Sequence, residues 1–411
     1  MPSTQPRHWI IPTPHPRCPQ RPRRPTGAQA RNRPTPPAAP RSPPRRSPRR
    51  RRASRSVQRL PRRRPSAPSA RLADTVSAER SPQVAGHPSV SVVMPIRNEE
   101  RHLRAAVERV LEQHYPGELE VVLSVAPSQD ATLAVAHGLA EEDLRITVVD
   151  NPTGYTPAGL NIAIAVASHD IIVRVDGHGE LSPGYITRAV DLLESTGAAN
   201  VGGLMDAQGS TPLEQAIATA YNSRVGLGGG GFHLSDTPAG PAKTVFLGVF
   251  RRDALASVGG FDETLHRAQD WELNHRLRLA GHMVWFTPDL RVVYRPRSSI
   301  RALASQFHLT GRWRREVARR HPETLSLRYL APPVAVAGLA VGTAGGLLGL
   351  LLRSRLLSFL LLAPAIYMVF LLGATASMRN LPPAARLRFP LVLAVMHLCW
   401  GAGFIKGKPE G

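Results

Sequence analysis

The 411-residue chain has two cysteines, Cys18 in an Arg/Pro-rich stretch and Cys399 in an apolar run near the end, so a disulfide framework and a cysteine metal site are both excluded. Aromatic residues are 5% of the chain and almost absent from residues 1–80, which removes the stacking platforms that single-stranded nucleic acid needs. The same 80 residues hold no long apolar segment of the kind that forms a signal peptide, so export by an N-terminal signal is not expected. No G-x-G-x-x-G follows the first strand and no G-x-x-x-x-G-K-[ST] occurs anywhere, which removes the usual dinucleotide and phosphate-loop fingerprints.

What the chain does have is charge, unevenly placed. Its 52 basic and 30 acidic residues give a net charge of +22. Residues 1–80 carry 21 Arg, no Lys and only two acids, Asp74 and Glu79, leaving 31 basic and 28 acidic residues for the rest. Residues 1–88 are too poor in apolar side chains to offset the entropy of ordering and are expected to be disordered. They read as a solvated tail, or as translated sequence upstream of the true start, more than as an arm for nucleic acid.

At the other end, uncharged runs at 330–352 and 356–378 are each about as long as a bilayer core requires, and a shorter one lies at 389–405. The membrane region is therefore expected over 330–405 with two or three spanning helices. Arg312, Arg314, Arg315, Arg319, Arg320 and Arg328 precede the first run, which by the positive-inside rule keeps the preceding domain in the cytoplasm and places the chain in the inner or plasma membrane.

Between these ends, "SVSVVMPIRNEERHLRAAVERVLEQ" passes from a β-rich run, stopped at Pro95, to helical spacing at Leu103, Val107, Val110 and Leu111. "LEVVLSVAP", "RITVVD" and "DIIVRVD" are further strand candidates, with helices from about Asp130 and around "PAGLNIAIAVA" between them. Strands alternating with helices predict a doubly wound, mostly parallel α/β sheet, whose ligands bind beyond the carboxyl ends of the strands. Those ends carry Pro95-Ile96-Arg97-Asn98-Glu99, Ala126-Pro127-Ser128-Gln129-Asp130 and Asp176-Gly177-His178. A carboxylate and an imidazole flanking a glycine can face one divalent cation, which would neutralise a diphosphate without a glycine cradle.

With these residues in view, the chain resembles the family 2 glycosyltransferases, and within them the membrane-anchored enzymes similar to the succinoglycan-type glucosyltransferases of exopolysaccharide assembly. The resemblance covers residues 89–322 and continues into the apolar runs. It implies a GT-A type nucleotide-sugar-binding domain. Pro95 and Asn98 match the family's Pro-x-x-Asn element, and Asp176-Gly177-His178 matches its D-x-D motif, which binds Mn²⁺ or Mg²⁺ and the donor diphosphate. Asn161 matches the asparagine before the fourth strand. "GGFDETLHRAQDWELNHRLRLAG" resembles the G-x-F-[DE] turn and the acidic motif, putting the catalytic base at Asp270, with Glu272 a lesser candidate. "SQFHLTGRW" is similar to the Q-x-x-R-W element, with Gln306 six residues before Arg312 and Trp313.

The resemblance thus implies donor contacts from Pro95, Asn98, Glu99, Asp130, Asn161 and Asp176, a metal at Asp176 and His178, and acceptor or diphosphate contacts from Gln306, Arg312 and Trp313. The implied activity is inverting transfer from a nucleotide-sugar, a UDP-sugar by resemblance, to a glycan or lipid-linked saccharide; a polyprenyl-phosphate sugar transferase is the alternative. One departure bears on the base: Val125 and Ala126 stand where the family keeps an acidic pair. The run "VGLGGGGFHLSDTPAGPAKTVFLGVFRRD" reads as an acceptor-side loop, with Lys243, Arg251 and Arg252 available to an anionic phosphate, or as a plain connector.

Overall fold

The computed structural model describes residues 86–228 and 231–407. The expectation for the N-terminal arm therefore falls, apart from residues 86–88, outside the described residues, as do Gly229 and Gly230 of the glycine run. The chain from Arg80 onward forms one compact unit.

Its first half alternates as the sequence predicts: β1 (Val90–Ile96), α1 (Leu103–Leu111), β2 (Leu119–Val125), α2 (Thr132–Glu142), β3 (Ile146–Asp150), α3 (Thr156–Val166) and β4 (Ile171–Arg174). The second half runs through β5 (Glu180–Leu181), α4 (Tyr185–Thr196), β6 (Asn200–Ala207), α5 (Pro212–Tyr221), α6 (Arg224–Leu227), β7 (Gly240–Pro241), β8 (Phe246–Arg251), α7 (Arg252–Ser257), α8 (Gln269–Leu279) and β9 (Val284–Tyr294). Four long or apolar pieces close the chain: α9 (Ile300–Arg320), α10 (Leu327–Leu351), the short α11 (Arg355–Ser358) leading into α12 (Leu362–Ser377), and α13 (Pro383–Lys406).

The strands form one sheet in the order β3-β2-β1-β4-β8-β6-β9-β5, with β7 paired to β9. β1 lies parallel to both β2 and β4, and β2 parallel to β3. β8 enters antiparallel between β4 and β6. Helices cover both faces, so alternate residues of each central strand are buried on opposite sides and the strands read as continuous apolar runs. Val92 and Met94 of β1 pack with Leu103, Val107 and Ile186, whereas Val93 packs with Leu160, Phe261 and Leu273.

Among the described residues three helices are long and apolar enough to cross a membrane: Leu327–Leu351, Arg355–Ser377 and Pro383–Lys406. The third begins six residues ahead of the apolar run expected at 389–405. Arg386 and Arg388 sit in its first turns and hide that start from a search for uncharged sequence.

α9 packs along α13 through Leu303, Phe307, Phe389, Val392 and Met396, and at two glycines the backbones come together. A Cβ on Gly311 would lie 2.0 Å from the Trp400 carbonyl oxygen, and one on Gly403 would lie 2.0 Å from that of His308. Arg312 and Arg315 of α9 donate to carbonyls at the end of α13, Arg312 Nε to Gly407 at 2.8 Å and Arg315 Nη1 to Phe404 at 3.1 Å. These are groups that a helix C-terminus leaves without intrahelical partners.

Candidate active site

The loops leaving β1 and β2 are stitched to one another. Asn98 sits in the left-handed region at φ 54°, which its short amide side chain tolerates. Its Oδ1 accepts from Gln129 N at 2.8 Å while its own N–H donates to Ser128 Oγ at 3.0 Å. Glu99 N donates to Thr132 Oγ1 at 2.7 Å, and Glu100 N to Asp130 Oδ2 at 3.3 Å. Asp130 also accepts from the Thr132 hydroxyl and amide, and these bonds hold its carboxyl below the usual range. Asn98, Glu99 and Asp130 therefore form one rim, while Pro95 stays within β1 in register with Ser124; Arg97, donating to the Gly154 carbonyl at 3.3 Å, extends the rim to the loop after β3.

β4 delivers the centre of the site. Arg174, its last residue, is 5% exposed. Nη2 binds Asp176 Oδ1 at 3.0 Å and Nη1 binds the Asp270 carboxylate, so one guanidinium holds two acids. Both acids favour its charged form and raise its pKa despite the burial.

Asp270 is placed by a sharp entry into α8. Ala268, left-handed at φ 63°, is the residue before the helix and gives it no side-chain cap. Asp270 is thus the second residue of α8 and not its N-cap, in a first turn whose free N–H groups favour a carboxylate. Burial raises its pKa, Arg174 opposes the rise and Asp176 adds to it. Glu272, two positions on, is 2% exposed and fully engaged: Arg276 binds it at 2.7 and 2.8 Å and His321 Nε2 lies 3.3 Å away. Of the two carboxylates in this motif, only Asp270 reaches the cleft with Asp176.

His178 is oriented by Glu99, whose Oε1 lies 2.8 Å from its Nδ1. That bond leads the causes that raise the imidazole above its ordinary pKa. Nε2 of His178 and Oδ2 of Asp176 have no partner among the described residues. A histidine tethered through Nδ1 by a carboxylate, beside a free carboxylate oxygen, is a donor set that suits a divalent cation. A Cβ at Gly177 would meet Ile96 Cδ1 at 2.9 Å and Glu99 Cγ at 3.0 Å, so a larger residue there would push on the side chain that orients His178.

A second group with ligand-type atoms within 4.8 Å of one another is His275, His321 and Glu323. There His275 Nε2 lies 2.7 Å from Glu323 Oε1, and its Nδ1 faces Arg278 Nη2 at 3.3 Å. A guanidinium can only donate, so Nδ1 accepts and the proton sits on Nε2, turned to Glu323. This cluster is satisfied as a hydrogen-bond network.

The remaining candidates lie further out. Asn161 spends its amide on the turn before α8: Oδ1 accepts from Phe261 N at 2.9 Å, and Nδ2 donates to Phe261 O and to Glu263 Oε1, both at 2.9 Å. Gln306 Nε2 donates to the Tyr294 hydroxyl at 3.0 Å, and its Oε1 is buried with no partner. Arg312 caps α13, and Trp313 is buried against Leu265 and Val317. Arg251 and Arg252 are committed to main-chain carbonyls, Arg251 at 193 and 198 and Arg252 at 164, 167 and 169, which removes them from the anion-binding reading of this segment. Lys243 keeps its ammonium free among the described residues.

Comparison with known proteins bears on the family and the fold. The model of "Glycosyl transferase family 2" matches residues 91–258. The succinoglycan biosynthesis protein ExoA of Rhizobium meliloti is 32% identical over 315 residues, 76% of this chain and 93% of that one. A dolichyl N-acetyl-α-D-glucosaminyl phosphate glucuronosyltransferase of Methanococcus voltae is 22% identical, over 78% of this chain and 98% of that one. Among solved structures, a mannosyltransferase from Pyrobaculum calidifontis in complex with GDP-mannose and Mn²⁺ superposes with a TM-score of 0.50 at 20% identity, covering 78% of this chain and 87% of that one. The fold is GT-A-like.

Proposed function

From the premise that this chain belongs to glycosyltransferase family 2, we propose that it carries out inverting transfer of a sugar from a nucleotide-sugar to a hydroxyl of a glycan or lipid-linked saccharide, as a step in exopolysaccharide or cell-envelope glycan synthesis. The observation that carries this reading is the pair of carboxylates, Asp176 and Asp270, brought from 94 residues apart onto the single buried guanidinium of Arg174. In this reading one acid serves the donor diphosphate through a cation and the other deprotonates the acceptor.

In this reading Asp270 takes the proton from the acceptor hydroxyl as its oxygen bonds to the anomeric carbon and the bond to the diphosphate breaks. A base works best with its pKa near the operating pH, and the burial that raises Asp270 moves it that way. Asp176 and His178 would hold Mn²⁺ or Mg²⁺, which would supply positive charge to the departing diphosphate. Asn98, Glu99 and Asp130, with their loops already stitched together, would receive the nucleotide without much reordering. Asn161 would act through the 261–263 turn that leads to Asp270. The arginines ahead of α10 support a cytoplasmic catalytic domain, where nucleotide-sugars are made. The Methanococcus relative is named for transfer to a dolichyl phosphate-linked sugar, which supports the same class of acceptor here.

The test is a panel of nucleotide-sugars offered to purified membranes, with release of nucleoside diphosphate as the readout. One donor should give release that Asp270→Asn abolishes. Release by no member of the panel, or equal release by the variant, would overturn the assignment.

A further inference from the structure

Beside the cleft lies a cavity of about 750 Å³, walled by the segment 231–244, by α8 and by the start of α10. Trp271, His275 and Arg278 line it from one face of α8, the helix whose first turn carries Asp270. Three cations also line it, Lys243, Arg278 and Arg328, and none is paired with a carboxylate among the described residues. Arg278 donates to the Lys243 carbonyl at 3.2 Å and to His275 Nδ1 at 3.3 Å, both neutral acceptors, and burial lowers its pKa. Arg328 leans on the Tyr329 ring at 5.0 Å. The one acid in the lining, Glu323, is bound to His275.

Lys243 and Arg328 are exposed and Arg278 is half-buried, so the three present positive charge that no carboxylate among the described residues takes up, and Lys and Arg suit phosphate oxygens. Arg328 and Tyr329 stand in the first turn of α10, one of the three helices apolar and long enough to cross a membrane. A ligand whose anion sits at Arg328 would have its tail run along that helix, whose residues Leu327 and Val334 are exposed. Behind this wall Arg314, 5% exposed, is sandwiched between Trp271 at 4.1 Å and Tyr329 at 3.9 Å. That sandwich ties the helix bearing Asp270 to the foot of α10.

We propose that this cavity binds the phosphate or diphosphate of a lipid-borne acceptor, with Lys243, Arg278 and Arg328 as its anion ligands. The inference rests on the transferase reading above and names the group that brings the acceptor to Asp270. Free phosphate shares the anion chemistry but lacks the tail.

The experiment measures binding to the full chain in detergent by calorimetry, using farnesyl diphosphate, inorganic diphosphate and farnesol as probes. Farnesyl diphosphate should bind at least about tenfold more tightly than either control. Lys243→Ala with Arg328→Ala should lose about tenfold or more of that affinity, and Lys243→Arg with Arg328→Lys should stay within about threefold. Lys243→Ala alone, at an exposed side chain without partners, should show an intermediate loss and guards against misfolding of the double variant. Equal binding of farnesol, equal binding of inorganic diphosphate, or an unchanged double variant would each overturn the proposal. UDP and GDP titrated into the same samples report separately on the transferase reading. If neither nucleotide binds while farnesyl diphosphate does, the transferase reading fails and the site stands.

Discussion

Arg174 and Asp270 lie 96 residues apart in the chain and form an ion pair on the floor of the cleft, with Asp176 on the same guanidinium. Removing the cation leaves two acids facing each other. Arg174→Met should lower stability by about 1–3 kcal/mol, less than for a fully buried pair because both carboxylates are about a third exposed to solvent. It should also cut kcat/KM at least tenfold, because Asp176 and Asp270 lose their relative placement. A melt and a rate within error of the parent would show that the clamp is dispensable.

Asp270→Asn keeps the size of the side chain but cannot take a proton. Loss of a general base costs about 10²–10⁴-fold. The loss should fall on kcat, with KM for the donor nearly unchanged. Glu272→Gln should instead appear as lowered thermal stability, since Glu272 is buried between Arg276 and His321. The opposite pattern, a dead Glu272→Gln and an active Asp270→Asn, would reverse the assignment.

The Glu99–His178 pair predicts a pH dependence with a definite sign. Glu99 raises the His178 pKa in the folded protein, so the pair stabilises fully below the unfolded value of about 6.5 and fades as pH rises through the folded value. With a chelator present, Glu99→Gln should melt below the parent by a larger margin at about pH 5.5 than at about pH 8.5. A margin that grew with pH would contradict the pairing.

Topology can be read directly. Protease added to intact cells should leave residues 89–328 uncut and should cut them once the membrane is opened. Cleavage in intact cells would put the catalytic domain on the other face.

Replacing Gly311 or Gly403 by Leu should force α9 and α13 apart. Overpacking of this kind costs about 1–3 kcal/mol, and more where backbone must move. The readout is the melting temperature in detergent, with Gly338→Leu, at a position whose Cβ would meet nothing, as control. Equal melting of all three variants would show that the close crossing is not needed.

The first four strands and the helices between them were legible because each element carries its own apolar period and ends at a turn residue. The acids at 176 and 270 were legible because their motifs are local. Arg174 was not singled out: it sits inside an apolar run, and only the approach of α8 shows why a strand buried on both faces keeps a cation. An arginine followed two residues later by a strand-end acid is the signal that could have found it. Arg251 and Arg252 misled for the reverse reason. They look free in sequence, yet each binds carbonyls of segments more than 50 residues away. Gln306, Arg312 and Trp313 share a motif but not a task in the structure, since a helix turns successive residues to different neighbours.

At the crossing of α9 and α13, main chain touches main chain through glycines, and two arginines fasten the end of one helix to the other. Turning one helix on the other would have to slide backbone over backbone at Gly311 and Gly403 and break both arginine bonds. The cleft therefore keeps one bearing and one height over whatever surface α13 is anchored in. If the acceptor is lipid-linked, as proposed above, its hydroxyl has to arrive at that height, and the distance from its anchor to its growing end becomes a property the enzyme can select.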